Sequence, residues 1–349
     1  MSFLYQNILK PVLFLFDAEK VHNLFIVVGE YLGKSYLGRK IINILYGSKE
    51  VPVTVDGLTF RTPVLLAAGF DYNGRLTEVL PYLSFGGVEV GSVTAKECQG
   101  NPKPRLTRLK KSKSILVNKG LKNEGVDLII KRLGERKRRI QNFVIGVSIA
   151  RTNCQESSGV AEGVEDYYYS MKRLVEENIG DYYTLNISCP NAFGGETYTK
   201  PKLLTRLLSK LQSVETSKPV YVKMPINLEW RDFQGLLEVI KKYSYIKGVI
   251  IGNLNKNYID LPEKSEIPPE YKGGLSGLPT KELSDKLIKQ TRQYLGNEFT
   301  IIGCGGVLSV KDAQEKIDAG ADLIQLITGM IYTGPGLIRD ICHNLKYEK

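Results

Sequence analysis

Two asparagines, a serine and a cysteine crowd into Asn186-Ile187-Ser188-Cys189-Pro190-Asn191, directly after the apolar run Tyr183-Thr184-Leu185 and shortly before Gly194-Gly195. A run that breaks this way is a buried strand delivering side chains to a loop. Pro190 removes a ladder donor and the two glycines permit a turn, so the strand must end near Ser188. An Asn amide donates and accepts at once, so a pair of them suits a planar ligand edged with carbonyls and N–H groups, while a thiolate can take up a proton. The competing explanation is a polar strand end with a packed cysteine, since cysteine outside disulfides is usually a small core hydrophobe. A second reactive type stands at Lys223, which follows the apolar stretch Val220-Tyr221-Val222. A charge there is costly unless something anionic or carbonyl-rich meets it, or unless the side chain snorkels to the surface.

What must position these groups is an alternation of strands and helices that begins at residue 51. Short apolar runs recur at Pro63–Ala68, Gly87–Val93, Phe143–Ile149, Tyr183–Ser188, Pro219–Met224, Gly248–Gly252, Phe299–Cys304 and Asp322–Ile327, separated by amphipathic stretches such as Val164–Glu177 and Thr280–Leu295. Eight such units predict an α/β fold, a (β/α)8 TIM barrel, over residues 51–349, with a small N-terminal helical extension over residues 1–50. In that fold the C-terminal strand ends share one face, so Ala67-Ala68-Gly69, Ser92, Thr94, Ser148, Asn186, Cys189, Asn191, Lys223 and Gly252 belong to one site. The last two strands carry Gly303-Cys304-Gly305-Gly306 and Ile327-Thr328-Gly329, where backbone N–H groups commonly hold phosphate. Gly273-Gly274-Leu275-Ser276-Gly277 adds a further backbone-accessible loop. The connection of about fifty residues between the second and third strands is too long for an ordinary loop and should hold a lid or a hairpin.

The chain of 349 residues is 42% hydrophobic and 24% charged, enough material for one large core. Its net charge of +11 favours anionic partners, yet no helix-turn-helix, zinc-finger spacing or aromatic-basic RNA motif accompanies it, so no nucleic-acid partner is expected. The run Arg136-Lys137-Arg138-Arg139 reads as a solvated helix end. Five cysteines at 98, 154, 189, 304 and 342, with no C-x-x-C and only two histidines, argue against a disulfide scaffold or a metal site. Lys10 and Pro11 interrupt the only early apolar stretch, so no signal peptide is expected and a reducing, cytosolic setting follows. Residues 2–47 read as amphipathic helices, one capped by Asp17 and running to Gly33, and none has the roughly 20 apolar residues that cross a bilayer. Such greasy segments either pack on the barrel as a lid or lie in a membrane interface.

Taken together, Leu65-Leu66-Ala67-Ala68-Gly69-Phe70-Asp71, Gly91-Ser92-Val93-Thr94, Gly100-Asn101-Pro102-Lys103-Pro104-Arg105-Leu106, Asn186-Ile187-Ser188-Cys189-Pro190-Asn191, Gly273-Gly274-Leu275-Ser276-Gly277, Ile301-Ile302-Gly303-Cys304-Gly305-Gly306 and Gly334-Pro335 resemble dihydroorotate dehydrogenase, in that family's order and over nearly the whole chain. The N-terminal Phe16-Asp17-Ala18-Glu19-Lys20-Val21-His22 is similar to the membrane-associated, quinone-reducing class. The resemblance implies FMN-dependent oxidation of dihydroorotate to orotate in pyrimidine biosynthesis, with electrons passed to a quinone and peripheral attachment to the cytoplasmic side of a membrane. It puts Cys189 at the catalytic base. Asn118, Asn186, Asn191, Asn253 and Tyr72 fall at the substrate, and Ala68, Gly69, Ser92, Ser148, Asn186, Lys223, Gly252, Gly277, Gly306, Ile327 and Thr328 at the cofactor. Arg105 and His22 fall at the quinone entrance.

Several positions depart from the family pattern. Cys189 stands where the quinone class ordinarily has Ser, and a thiol, with a reference pKa of about 8.5, is the easier base at neutral pH. Tyr72 replaces a Lys near the substrate carboxylate, so another cation, Lys119 or Lys122, must serve there. Leu254 replaces a small hydroxyl, Ser148 an Asn, and Val117 a substrate Asn with Asn118 one residue along. These changes leave open a fumarate- or nicotinamide-linked enzyme, a related flavin oxidoreductase acting on another dihydropyrimidine or an enone, and a phosphate-binding barrel without this catalysis.

Overall fold

The computed structural model describes residues 2–137, 142–195, 197–259 and 261–347. The chain opens with a broken helical segment, α-helical over Ser2–Leu4 and Lys10–Leu13 with a π-helical stretch over Tyr5–Leu9 between them. Two helices follow, α1 (Ala18–Lys34) and α2 (Tyr36–Tyr46). Asp17 caps α1 as expected, its carboxylate accepting from the Lys20 amide at 2.8 Å. A small hairpin, β1 (Val53–Val55) and β2 (Leu58–Phe60), leads into the strands β3 (Val64–Leu66) and β4 (Gly87–Val93). The long connection holds a second hairpin, β5 (Leu106–Leu109) and β6 (Ser114–Val117), and then α3 (Val126–Lys137). The remainder runs β7 (Val144–Ile149), α4 (Val160–Glu176), β8 (Tyr182–Asn186), α5 (Pro201–Leu211), β9 (Val220–Met224), α6 (Trp230–Ile240), β10 (Ile246–Ile251), β11 (Gly274–Gly277), α7 (Lys281–Leu295), β12 (Thr300–Cys304), α8 (Val310–Asp318), β13 (Leu323–Leu326), α9 (Thr328–Thr333) and α10 (Gly336–Asn344).

Eight strands, β3, β4, β7, β8, β9, β10, β12 and β13, close into one parallel barrel. Every residue of β4, β8 and β9 is buried, which is why these strands read as continuous apolar runs rather than alternating ones. The outer helices bury one stripe. In α5, Leu204, Leu207, Leu208 and Leu211 recur at helical spacing and are all fully buried. The β1–β2 hairpin closes the N-terminal end of the barrel, packing Val53 and Phe60 against Leu65, Tyr182, Tyr221 and Leu323. Asp56 at its turn accepts from Tyr221 Oη at 2.7 Å and Thr300 Oγ1 at 2.8 Å.

Gly273–Gly277, expected as an open loop, is instead largely the strand β11, paired antiparallel with β6 to complete a three-stranded sheet over the barrel mouth. A Cβ on Gly273 would run into the Val117 carbonyl, so only glycine lets the two strands lie this close. The basic run after α3 also differs from expectation. Arg136 is buried, donating to the Gly74 carbonyl at 2.8 Å and to Glu30 at 2.5 Å, while the last two residues of the run, 138 and 139, lie outside the described ones.

Arg136 is one half of the clasp that holds α1 on the barrel. Glu30 meets Lys34 at 3.0 Å and both Arg75 and Arg136 at 2.5 Å, and against burial these three cations, Lys34 foremost, hold its carboxyl down at about 2. The other half is Glu19, which takes a forked contact from Arg105 at 2.8–3.1 Å. Both side chains are buried. Replacing Glu19 by Ala leaves the guanidinium buried without its counter-charge, for which the expected loss is about 3–5 kcal/mol of stability. Urea unfolding measures this, and a change within about 0.5 kcal/mol, the range of a surface substitution, contradicts the clasp.

Candidate active site

The strand ends of the barrel open into a cavity of about 440 Å³. Ala68 and Gly69 after β3, Ser92 in β4, Asn186 at the end of β8, Lys223 in β9, and Ile327 and Thr328 after β13 line its barrel side. Cys189, Asn191, Asn253 and Tyr72 line it from the loops. The same cavity continues between the barrel and the N-terminal helices, where Ala18, Val21, His22, Phe25, Val28 and Leu32 of α1 and Ile42 of α2 form an apolar limb.

Hydrogen bonds hold the polar cluster in one arrangement. Asn186 Nδ2 donates to Ser92 Oγ at 2.8 Å, and Ser92 shares a second bond of 2.8 Å with Ser148 Oγ. Asn253 Nδ2 donates to Ser188 Oγ at 2.8 Å and leans on Asn186 Oδ1 at 3.3 Å, while Ser188 Oγ donates to the Lys223 carbonyl at 2.8 Å. Ser148 thus lies behind Ser92 and supports the wall without facing the cavity. Lys223 is almost fully buried and 3.5 Å from Glu89, a wholly buried carboxylate inside the barrel that also accepts from Thr184 and Gln325. Burial works against the ammonium, but Glu89 more than offsets it, so the Lys223 pKa is raised and the side chain is a cation at neutral pH.

The loop bearing Cys189 is pinned to the hairpin side. Asn191 Nδ2 donates to the Val117 carbonyl at 2.8 Å, and Asn101 Nδ2 donates both to the Asn191 carbonyl at 3.0 Å and to Asn118 Oδ1 at 2.8 Å. Asn153 joins them, donating to Asn101 Oδ1 at 2.9 Å and accepting from the Phe193 amide at 2.5 Å. Asn118 is therefore a buried brace one step removed from the cavity.

Several other expected residues also have structural parts in this geometry. Gly252 and Gly306 lie in the left-handed region, where a Cβ would strike the Cys304 carbonyl or the start of α7. Gly277, at φ +79°, ends β11 against Lys113 and Thr328. Arg105 points away from the cavity into Glu19 and the carbonyls of Gln99 and Asn101. The arginine that lines the apolar limb is Arg108. Its guanidinium donates to the Leu13 and Phe16 carbonyls at 2.9 and 3.2 Å and lies over the Phe14 ring, yet its Nη2 is buried without a partner among the described residues. Ser276 also lines the cavity, with its Oγ 2.8 Å from Thr328 Oγ1. Ser276 lies within the Gly273–Gly277 motif, whereas nothing local in the sequence marks Arg108 over Arg105.

His22 and Lys119 stand where the limb meets the barrel mouth. His22 Nε2 lies 2.8 Å from the Phe70 carbonyl, and Nδ1 lies 3.5 Å from Lys119 Nζ. Burial, reinforced by Lys119, pushes the imidazole down to about 4. Lys119 also lies 3.6 Å from Glu19 and 5.1 Å from the Tyr72 ring centre. Burial lowers its ammonium to about 8, against the opposing pull of Glu19.

A family model described as dihydroorotate dehydrogenase matches residues 50–348. A relative from Legionella pneumophila (strain Corby), named dihydroorotate dehydrogenase (quinone), is 34% identical over 97% of this chain and 98% of its own. One of the same name from Aliivibrio fischeri (strain MJ11) is 35% identical over 97% and 99%. Among solved structures, DHODH from Eimeria tenella in complex with ferulenol superposes with a TM-score of 0.82 at 28% identity, over 94% of this chain and 90% of that one. A family match over the whole barrel, with relatives that also span the N-terminal helices, leaves one assignment: the chain belongs to the dihydroorotate dehydrogenase family.

Proposed function

We propose that this protein oxidises dihydroorotate to orotate with bound FMN, in pyrimidine biosynthesis, and passes the electrons to a quinone. The observation that carries this reading is the single cavity that joins the Cys189 cluster to the apolar limb under the N-terminal helices. A polar planar substrate and a greasy acceptor need walls of opposite character, and here they share one chamber.

The residues present fit FMN. Ala68 and Gly69 let a flat ring approach the backbone, Lys223 supplies a buried cation for its carbonyl edge, and Ser276, Thr328 and the glycine turn at Gly305-Gly306 offer hydroxyl and backbone donors for a phosphate. When bound, FMN supplies the two-electron redox chemistry. Asn186, Asn191 and Asn253 orient the substrate ring by its amide edges, and Cys189 takes the C5 proton. Glu89 keeps Lys223 charged. The protein is expected to purify with one FMN per chain. Mass analysis of the released cofactor tests this, and FAD or no flavin overturns it.

Tyr72, in place of a lysine, leaves the substrate carboxylate in need of another cation. If the cavity supplies one, dihydroorotate should bind about ten- to a hundredfold tighter than its uncharged analogue dihydrouracil, since a charge-assisted contact is worth roughly 1.5–3 kcal/mol. Equal KM values would favour a different dihydropyrimidine as the substrate.

The N-terminal helices also offer a membrane face. Phe3, Leu15, Phe16, Tyr31, Tyr36, Leu37 and Ile44 are between 62% and 78% exposed, too much apolar surface in one segment for a wholly water-facing role. No helix among the described residues is long and apolar enough to cross a membrane, so the contact is peripheral insertion, with a lipid-borne quinone entering the limb beside Arg108. Anaerobic reduction of the bound flavin by dihydroorotate, followed by reoxidation with quinone, fumarate or NAD, tests the whole reading. Reoxidation by fumarate or NAD but not by quinone overturns the acceptor.

A further inference from the structure

Reducing a quinone to its quinol adds two electrons and two protons. Whether the two electrons arrive as a hydride or one at a time, at least one quinol O–H bond takes its proton separately, from the protein or from water. The apolar limb is a poor conduit for water, which leaves the polar groups on its wall.

His22 is the obvious candidate, and its hydrogen bonds exclude it. The Phe70 carbonyl can only accept, so the proton of the neutral imidazole sits on Nε2 and is already engaged at 2.8 Å. Nδ1 is then a lone-pair acceptor facing Lys119 Nζ at 3.5 Å. The imidazole orients the ammonium and has no proton to give. Arg108 retains its proton at any working pH.

We propose that Lys119 is the proton donor to the quinone at the inner end of the apolar limb. The inference rests on the quinone-linked reading above. Lys119 lies at the junction of limb and barrel mouth, on the loop after β6, next to Asn118 and outside the barrel strands. Among the described residues the acid that faces it is Glu19, 3.6 Å away and already committed to the Arg105 fork. The remaining groups that face it are the Tyr72 ring, His22 Nδ1, and the repelling cations Arg105 and Lys122. Burial, aided by Arg105 and Lys122 and opposed by Glu19, makes this ammonium give up its proton readily, and its pKa of about 8 lies near a working pH, where a general acid is most effective. In the step, one N–H bond of Lys119 breaks as the quinol O–H bond forms. The resulting neutral amine recovers a proton from solvent before the next turnover.

The test isolates reoxidation. Flavin reduced anaerobically with dithionite is mixed with a soluble short-chain quinone across pH 6–10, in the parent, Lys119→Met and Lys119→Arg. The parent rate is expected to fall about tenfold per pH unit above about 8. Lys119→Met should be slower by about a hundredfold at pH 7, the lower end of the general-acid range, and flat with pH, with partial rescue by added ethylammonium. Lys119→Arg keeps the positive charge without a transferable proton and should resemble Met, which separates proton donation from simple charge. A second readout needs no turnover: competitive acetylation of the purified protein, read by mass spectrometry, should show Lys119 half-reactive near pH 8, with surface lysines near 10.4. A Met variant with the parent's rate and pH profile overturns the proposal, as does an Arg variant that retains both. A higher KM for dihydroorotate in Lys119→Met with normal reoxidation would assign the cation to the substrate carboxylate instead. A parent protein that no quinone reoxidises brings down the acceptor assignment itself, an outcome the variants do not share.

Discussion

Cys189→Ala should slow reduction of the bound flavin by dihydroorotate by about 10²–10⁴-fold, the usual contribution of a positioned general base. The thiol projects from the loop after β8 into the cavity that Asn186, Asn191 and Asn253 also line, and the bonds from Asn186 to Ser92, from Asn191 to the Val117 carbonyl and from Asn253 to Ser188 brace that wall. FMN should therefore stay bound, and its visible spectrum should be that of the parent. Cys189→Ser should recover part of the rate with its pH optimum moved upward, because a hydroxyl yields its proton less readily than a thiol. Stopped-flow bleaching of the flavin across pH measures both. An alanine variant reduced as fast as the parent would place the base elsewhere and leave Cys189 a packing residue.

Removing residues 1–47 should abolish turnover with long-chain quinones while flavin reduction by dihydroorotate persists. The reason is geometric, since α1 and α2 supply one whole wall of the limb and the exposed apolar surface beside it. The deletion also takes away Glu19 and Glu30, leaving Arg105 and Arg136 buried without their counter-charges, so loss of fold could mimic loss of the tunnel. Ala18→Trp avoids that difficulty by keeping both acids and narrowing the limb from within. Overpacking of about 1–3 kcal/mol should cut quinone turnover by roughly ten- to a hundredfold, with the dihydroorotate half-reaction unchanged. Full long-chain quinone activity in a soluble, flavin-loaded truncation would sink the acceptor assignment, and parent-like turnover in Ala18→Trp would mean that the quinone takes another path.

The barrel was legible because its strands are covered on both faces. Burial of every residue in β4, β8 and β9 demands continuous apolar runs, and each run stops where its side chains meet the mouth, so the polar residues at Asn186, Cys189 and Lys223 announce themselves. The order of the family motifs then supplied the chemistry. What one dimension could not carry is the direction of side chains that answer to distant partners. Arg105 and Arg108 are three residues apart in one strand and its lead-in, yet one is drawn into Glu19 and the other onto Phe14, and only the docking of α1 decides which faces the limb. Gly273–Gly277 reads as a loop until β6 lies beside it. Arg136 reads as solvated until Glu30 reaches it from the N-terminal helix. The pairing of His22 with Lys119 joins residues 97 positions apart, and with it the direction of the imidazole proton. Local periodicity records which face of an element is buried, because burial acts on every turn or alternate residue; which charge meets which depends on how elements pack, and that information exists only once the chain has folded.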